Sequence, residues 1–358
     1  MEEKLKPEKR NPACYKYVSK SALTIILVFV CCNYLIAQSS ETSMRDIVFK
    51  NGSVELQGTF MMPEAAQGHV PAIVFLHGSG PMTRAGFKPY AEEFAKLGFA
   101  SLFYDKRGTG SSAGSWLTAS LEDLAGDALA AVNYLKSQKN IDPDRIGLWG
   151  ISQAGWIATR AAAESGKIGF MILISGGGAS SKESELFSYE KAFEDLGWSE
   201  SQKKDGFKVV DLYFHYLSTG KDRDKLISCL DDILTSDSNF LEPLAKRLKQ
   251  ITPSQENQQN WSWIVSYDPT PDIAKVNFPV LLMFGDKDKE HPTELAVEKW
   301  KEGLKKAGND KASIMIFPGA GHGIRMKEDY KGEGRPPFAD GYAEVMVGWL
   351  LYHIIQGN

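Results

Sequence analysis

Trp149-Gly150-Ile151-Ser152-Gln153-Ala154-Gly155 follows the run Arg145-Ile146-Gly147-Leu148 and precedes an alanine-rich stretch of helical character. A strand that turns sharply into a helix, with a serine at the corner among small residues, holds a hydroxyl out from a sheet. Such a corner is strained, so the residue occupying it is chosen for what its side chain does. Gly150, Ala154 and Gly155 are then the positions where larger side chains would collide with the turn or a neighbouring strand. The strict pattern is Gly-x-Ser-x-Gly, and Ala154 takes the place of its last glycine. The competing interpretation makes Ser152 a polar helix cap.

A serine hydroxyl is a weak nucleophile at neutral pH and needs a base. The chain has six histidines. His69 precedes the first long apolar run, His215 lies in an amphipathic helical stretch, His291 begins a helix beside Pro292, and His353 falls in the terminal helix. His77 opens the loop His77-Gly78-Ser79-Gly80-Pro81 and is expected to hold its shape by bonding nearby backbone. That leaves His322, in Gly319-Ala320-Gly321-His322-Gly323 after the apolar run 314–317. An acid is available in Gly285-Asp286-Lys287-Asp288, past the apolar run 280–284, where Asp286 and Asp288 compete. Both loops leave the C-terminal ends of strands, the edge where open α/β sheets place ligands. Asp268 and Asp272, just before that run, read as cap and turn residues.

The glycines around Ser79 let backbone N–H groups point into a pocket instead of a ladder. With the amide of Gln153, the residue after Ser152, this loop can supply a two-donor oxyanion site. The Ser79 amide is the first choice and Gly80 its near alternative. No His/Cys/Asp cluster has metal-ligand spacing, and neither a metal nor a cofactor is expected. Asp105 and Arg107, in Tyr104-Asp105-Lys106-Arg107-Gly108, are expected to form a buried ion pair that shapes loops beneath the serine. Trp149 and Trp156 are expected in the core.

Around these sites the apolar pattern alternates between strand and helix. Residues 45–62 read as a hairpin about Asn51-Gly52, 87–97 as a helix, 99–104 as a strand and 121–136 as a helix. Residues 146–149 and 170–174 read as strands. The rhythm stops after Ser175-Gly176-Gly177-Gly178 and resumes at 272–284. A structureless loop of this length is improbable inside a domain, so residues 179–270 are expected to form a helical lid. Of its aromatic residues, including Tyr189, Phe193, Trp198, Tyr213, Trp261 and Trp263, most should pack the lid and two or three should line a cleft.

With 358 residues and 43% hydrophobic content the chain can bury a full core. A net charge of −4, with no basic cluster beyond the first twenty residues, argues against nucleic acid as a partner. Lys and Arg crowd residues 4–20, residues 21–37 are apolar, and Gln38-Ser39-Ser40-Glu41 is polar. That is the pattern of a signal peptide cut after Ala37 and of an exported protein, periplasmic or secreted. The long basic segment and Leu35 three places before the cut leave an uncleaved membrane anchor as the alternative. A membrane contact is expected only in that case. Phe29 and Val30 are not the small residues that precede a lipid-attached cysteine. Cys14, Cys31 and Cys32 fall in the leader, so a mature chain keeps only Cys229 and has no internal disulfide.

Five segments, at 77–80, 104–111, 150–155, 285–288 and 321–323, together resemble the α/β-hydrolase superfamily over roughly residues 45–355. More narrowly the chain is similar to secreted bacterial esterases related to dienelactone hydrolases and to proline-iminopeptidase-like serine hydrolases. The resemblance implies a mostly parallel sheet of about eight strands with helices on both faces. A core of 45–178 and 271–358 would carry a cap inserted after strand six. It also implies the order serine, acid, histidine along the chain, with the acid three residues past the glycine. That gives Ser152, Asp288 and His322 and makes Asp286 a turn residue. The implied activity is hydrolysis of small to medium acyl or aryl esters through an acyl-enzyme. The alternatives are a peptidase holding an α-amino group on Glu183, Glu185, Glu190 or Glu194, a thioesterase, and a binding protein without catalysis.

Overall fold

The computed structural model describes residues 42–63, 68–237, 239–327 and 330–356. The leader expected at residues 1–37 lies outside them. A strand apolar at successive positions has no face for water and must be covered on both sides. β3 (Val70–Leu76), β4 (Ala100–Tyr104), β6 (Phe170–Ile174) and β7 (Val280–Gly285) are buried along their whole lengths. With β5 (Ile141–Ile151) and the edge strand β8 (Ala312–Phe317) they make a parallel array. β1 (Thr42–Asn51) and β2 (Val54–Pro63) form the hairpin about Asn51-Gly52, and β2 joins β4 antiparallel. The order is β1-β2-β4-β3-β5-β6-β7-β8. Most expected elements fall within two residues of their observed ends. β5 is longer than expected, because residues 141–145 continue the strand beyond the apolar core 146–149.

Two apolar layers cover the sheet. On one face lie α1 (Lys88–Lys96) and the C-terminal helix, whose Phe94, Met346 and Trp349 pack with Phe75 and Ile172. On the other lie α2 (Leu121–Lys136) and α3 (Ala154–Ser165), with Ala128, Val132 and Ile157 against Val74 and Leu148. α2 starts where Ser120 accepts the Asp123 N–H and the Asp123 carboxylate accepts the Ser120 N–H.

Between β6 and β7 the chain is helical throughout its regular elements. α4 (Ser181–Asp195), α5 (Glu200–Thr219), α6 (Arg223–Thr235) and α7 (Glu242–Ile251) lead into single turns at Gln258–Trp261, Trp263–Ser266 and Thr270–Ile273. This segment has its own core, in which Tyr189, Phe193, Phe214, Tyr216 and Leu248 are buried. Asp272 fastens it to the body and does more than turn the chain. Its buried carboxylate accepts from Tyr267 Oη at 3.1 Å, Arg160 Nη1 on α3 at 3.3 Å and Lys275 Nζ at 3.2 Å. Asp268 is the turn residue, accepting the Thr270 N–H at 2.9 Å. After β7 come α8 (Thr293–Ala307), β8 and α9 (Tyr342–Leu350). His353, expected in the terminal helix, lies in a π-helical turn that continues it.

Among the described residues no helix is long and apolar enough to cross a membrane, no acid–His–Cys group could hold a metal ion, and Cys229 is free. The expected ion pair beneath the serine forms with a different partner. Arg107 pairs with Asp127 on α2 through two parallel bonds, Nε to Oδ2 at 2.8 Å and Nη2 to Oδ1 at 2.6 Å, and both side chains are buried. Asp105 instead accepts the backbone N–H groups of Arg84 and Ser111. Removing one member of a buried pair strands the other charge, which costs about 3–5 kcal/mol. Arg107→Leu is therefore expected to lower stability to urea by that amount, and adding Asp127→Leu should recover part of it. A loss under about 1 kcal/mol for Arg107→Leu would mean that the pair does not hold this corner.

Candidate active site

Ser152 stands at the corner between β5 and α3 with φ +63°, a left-handed conformation uncommon outside glycine. Its N–H donates to the Ile174 carbonyl at 2.9 Å. The corner closes because side chains are missing there. A Cβ on Gly155 would overlap the backbone of Gly176 and Gly177, which follow β6. Of the four non-glycine residues with positive φ among the described residues, Ser152, Ser175 and Ile324 follow β5, β6 and the β8 loop. Each such conformation costs of order 1–3 kcal/mol, and its clustering at strand ends is typical of functional sites.

Asp288 and His322 are brought together. The Nδ1–H of His322 reaches Asp288 Oδ2 at 2.9 Å and Oδ1 at 3.1 Å, and Oδ1 also accepts the N–H groups of Glu290 and His291. A carboxylate can only accept, so Nδ1 carries the proton and Nε2 is left as the basic nitrogen. Burial alone would push the Asp288 carboxyl up. The bond and charge of His322, the charge of His291 and the Glu290 N–H outweigh it and hold the carboxyl below its ordinary value. Burial likewise opposes the imidazolium of His322, yet the Asp288 bond and charge, aided by Glu290, raise its pKa above the ordinary value. Asp286 is exposed and ties the turn, accepting the Gly319 N–H at 2.7 Å. Ser175 completes the scaffold: its buried Oγ accepts the Gly323 N–H at 3.1 Å and holds the histidine loop against the end of β6.

The serine half of the constellation is looser. Among the described residues no hydrogen bond joins Ser152 Oγ to His322, whose Nε2 instead lies 3.6 Å from Glu290 Oε2. Ser152 lines one chamber and His322 the neighbouring one, and Ser188, Arg247 and Glu290 border both.

Ser79, Gly80 and Gln153 line the same chamber as Ser152. The loop lies directly on the serine, since a Cβ built on Gly78 would sit 3.8 Å from Ser152 Cβ. His77 is buried beneath this loop between Phe87 and Tyr104, with centroids 5.0 and 4.9 Å away. Burial, and then the charge of Lys106, push its pKa down to about 3, so it is a neutral structural ring.

The serine chamber encloses about 340 Å³ beneath the helical segment. Trp116, Tyr213, Trp261 and Trp263 give it an aromatic wall. Trp156, buried in the core as expected, lines it as well and donates its Nε1–H to the Ala179 carbonyl at 2.9 Å. Of the four glutamates weighed as amine ligands, only Glu185 lines the chamber. Glu183 caps α4 with Ser180, and Glu194 pairs with Lys191 and Lys203. His291 is a wall residue that sequence reading passed over. Its Nε2–H faces the Gly177 carbonyl at 2.8 Å, leaving Nδ1 to accept from Ser184 Oγ at 3.2 Å, and burial pushes its pKa down to about 4.

Comparison with known proteins agrees with this architecture. Residues 51–320 match the X-Pro dipeptidyl-peptidase (S15) family. The chain is 24% identical over 273 residues to the AB hydrolase superfamily protein YisY of Bacillus subtilis, covering 74% of this chain and 89% of that protein. Among solved structures it is similar to the alpha/beta hydrolase GrgF of Penicillium, with TM-score 0.54 and 18% identity, covering 87% of this chain and 96% of that one. An esterase of Pyrococcus furiosus superposes with TM-score 0.52 and 18% identity, covering 81% of this chain and 85% of that one. At these identities the two structures speak for the fold alone. The match to the family spans most of the sheet and four of the five sequence segments, ending just before Gly321-His322-Gly323, and the chain belongs to the S15 family of hydrolases, built on the α/β-hydrolase fold.

Proposed function

We propose that the protein is a serine hydrolase that cleaves carboxylic esters of small to medium acyl or aryl groups, using Ser152, His322 and Asp288. The observation that carries this reading is the Asp288–His322 pair, together with a strained serine that opens into the neighbouring aromatic chamber. Ser152 Oγ attacks the acyl carbonyl while His322 Nε2 takes its proton, exchanging its contact with Glu290 for one with the serine. His322 then returns the proton to the leaving oxygen. A water attacks the acyl-enzyme with its proton going to the same nitrogen, and the acid leaves as Ser152 is restored. The amides of Ser79 and Gln153 receive the developing oxyanion. No metal, cofactor or nucleic acid enters this scheme.

A second reading, release of an N-terminal residue from a peptide, is favoured by Glu185 in the chamber wall and by the S15 family match. A panel of p-nitrophenyl esters, an acyl thioester and aminoacyl anilides separates the possibilities. Esters are expected to turn over fastest, and Ser152→Ala should lower turnover about 10⁴-fold or more. Turnover confined to anilides would replace the first reading by the second. Thioester preference would move the chemistry to that class.

Asp288→Asn should cost about 10⁴-fold in kcat, because the wrong tautomer of His322 is then held. Asp286→Asn should leave kcat near that of the wild type. The base must be neutral to act, and its pKa is raised. The acid limb of kcat/KM should therefore lie above the ordinary imidazole value of about 6.5 and move down in Asp288→Asn. Equal losses in the two variants would contradict the assignment of the acid.

The basic, apolar and polar order of residues 4–41 supports export with cleavage after Ala37. N-terminal sequencing of the protein recovered outside the cytoplasm should begin at Gln38. An intact leader in the membrane fraction would support the anchor instead.

A further inference from the structure

Lys106 is the one charged residue of Asp105-Lys106-Arg107 that the scaffold leaves unexplained. Asp105 holds a turn and Arg107 is paired with Asp127, but the Lys106 ammonium makes no ion pair among the described residues. The residue is 3% exposed and lines the serine chamber. Its Nζ donates to the Gly78 carbonyl at 2.8 Å and to Gln153 Oε1 at 2.9 Å, with the Trp116 ring centroid 5.9 Å away. Moving an ammonium out of water costs several kcal/mol, which two neutral acceptors do not return.

The two acceptors show what such a cation can do. The Gly78 carbonyl belongs to the peptide unit whose N–H is that of Ser79. Gln153 is the residue whose amide is the other expected donor. A peptide that accepts a hydrogen bond from a cation becomes a stronger donor at its own N–H, because hydrogen bonds in series polarise one another. A fixed charge in a site of low dielectric also acts most strongly on charge that appears only in the transition state.

We propose that Lys106 is the positioning residue of the oxyanion site: it clamps the Ser79 loop to Gln153 and supplies an uncompensated positive charge for the tetrahedral oxyanion. This inference rests on the serine-hydrolase reading. It assigns Lys106 a share in the rate of acyl transfer and none in holding the ground-state substrate.

The pH behaviour follows from the surroundings. Burial pushes the ammonium pKa down to about 7, opposed by the charge of Asp127. His77 beneath the loop stays neutral down to about pH 3, and Asp127 is engaged by Arg107. Glu185, Arg247, Glu290 and His291 line the rest of the chamber. Loss of the Lys106 proton above neutrality removes the charge, so kcat should fall on an alkaline limb while His322 sets the acid limb.

The test compares full-length wild type, Lys106→Met and Ser152→Ala on p-nitrophenyl acetate from pH 5 to 9, with thermal unfolding of each as the check on folding. Lys106→Met is expected to lose about 10- to 100-fold in kcat, less than removal of a direct oxyanion donor, with KM nearly unchanged and the alkaline limb gone. Unchanged kcat, or a loss confined to KM, would overturn the inference and leave the serine-hydrolase reading standing. Should Lys106→Met fail to fold, the wild-type profile decides. A fall in kcat on the alkaline side of the His322 limb is expected, and a plateau to pH 9 overturns the proposal. A wild type no faster than Ser152→Ala on esters, thioesters and anilides would remove both the reading and the inference.

Discussion

At the C-terminal edge of the sheet, backbone lies on backbone. Gly155 sits against the Gly176–Gly177 peptide, and Gly285 against the Ala320 carbonyl, each at a distance that no Cβ could tolerate. The first contact sets the serine corner against the loop after β6. The second brings the acid turn after β7 beside the histidine loop after β8. Ser175 then fastens that histidine loop to β6 through the Gly323 N–H. The positive φ of Ser152, Ser175 and Ile324 is held by these contacts and by the apolar layers beneath them. A site built from loops gains the precision of the sheet because the loops have almost no room to move apart.

Charge is distributed over this scaffold with a clear division of labour. His77 and His291 are buried, kept neutral, and used as shaped hydrogen-bonding rings. Asp288 and His322 stabilise one another's charged forms, so the imidazole is oriented and made more basic by one interaction. Arg107 and Asp127 cancel within the body, whereas Lys106 makes no ion pair among the described residues and lines the serine chamber. Glu290 bridges the two chambers, with one oxygen near Lys327 and the other near His322 Nε2.

Much of this was legible in the chain because the decisive features are local. A strand, a glycine and a polar residue within ten positions specify a side chain at a strand end, and this holds at Ser152, Asp288 and His322 alike. The choice between Asp286 and Asp288 was not local. It depends on which carboxylate faces the next loop, and Asp286 spends its oxygen on Gly319. Lys106, Ser175 and His291 were passed over for a related reason. Their neighbours come from elements far away in sequence, and the helical segment between β6 and β7 decides which of them faces a chamber. Trp156 shows the same effect: apolar spacing places it on α3, but only the helical segment above makes that face a chamber wall. His291, three residues beyond the acid in Asp288-Lys289-Glu290-His291, carried the one sequence signal that could have drawn notice.

The central claim is that Ser152 is the group that becomes covalently acylated, and mapping of a covalent adduct tests it most directly. The wild-type protein would be treated with a fluorophosphonate, digested, and the modified peptide sequenced by mass spectrometry. The account predicts one adduct, on Ser152, that forms in step with loss of ester turnover and is greatly slowed in Asp288→Asn. An adduct on another residue, or full inactivation with Ser152 unmodified, would contradict it.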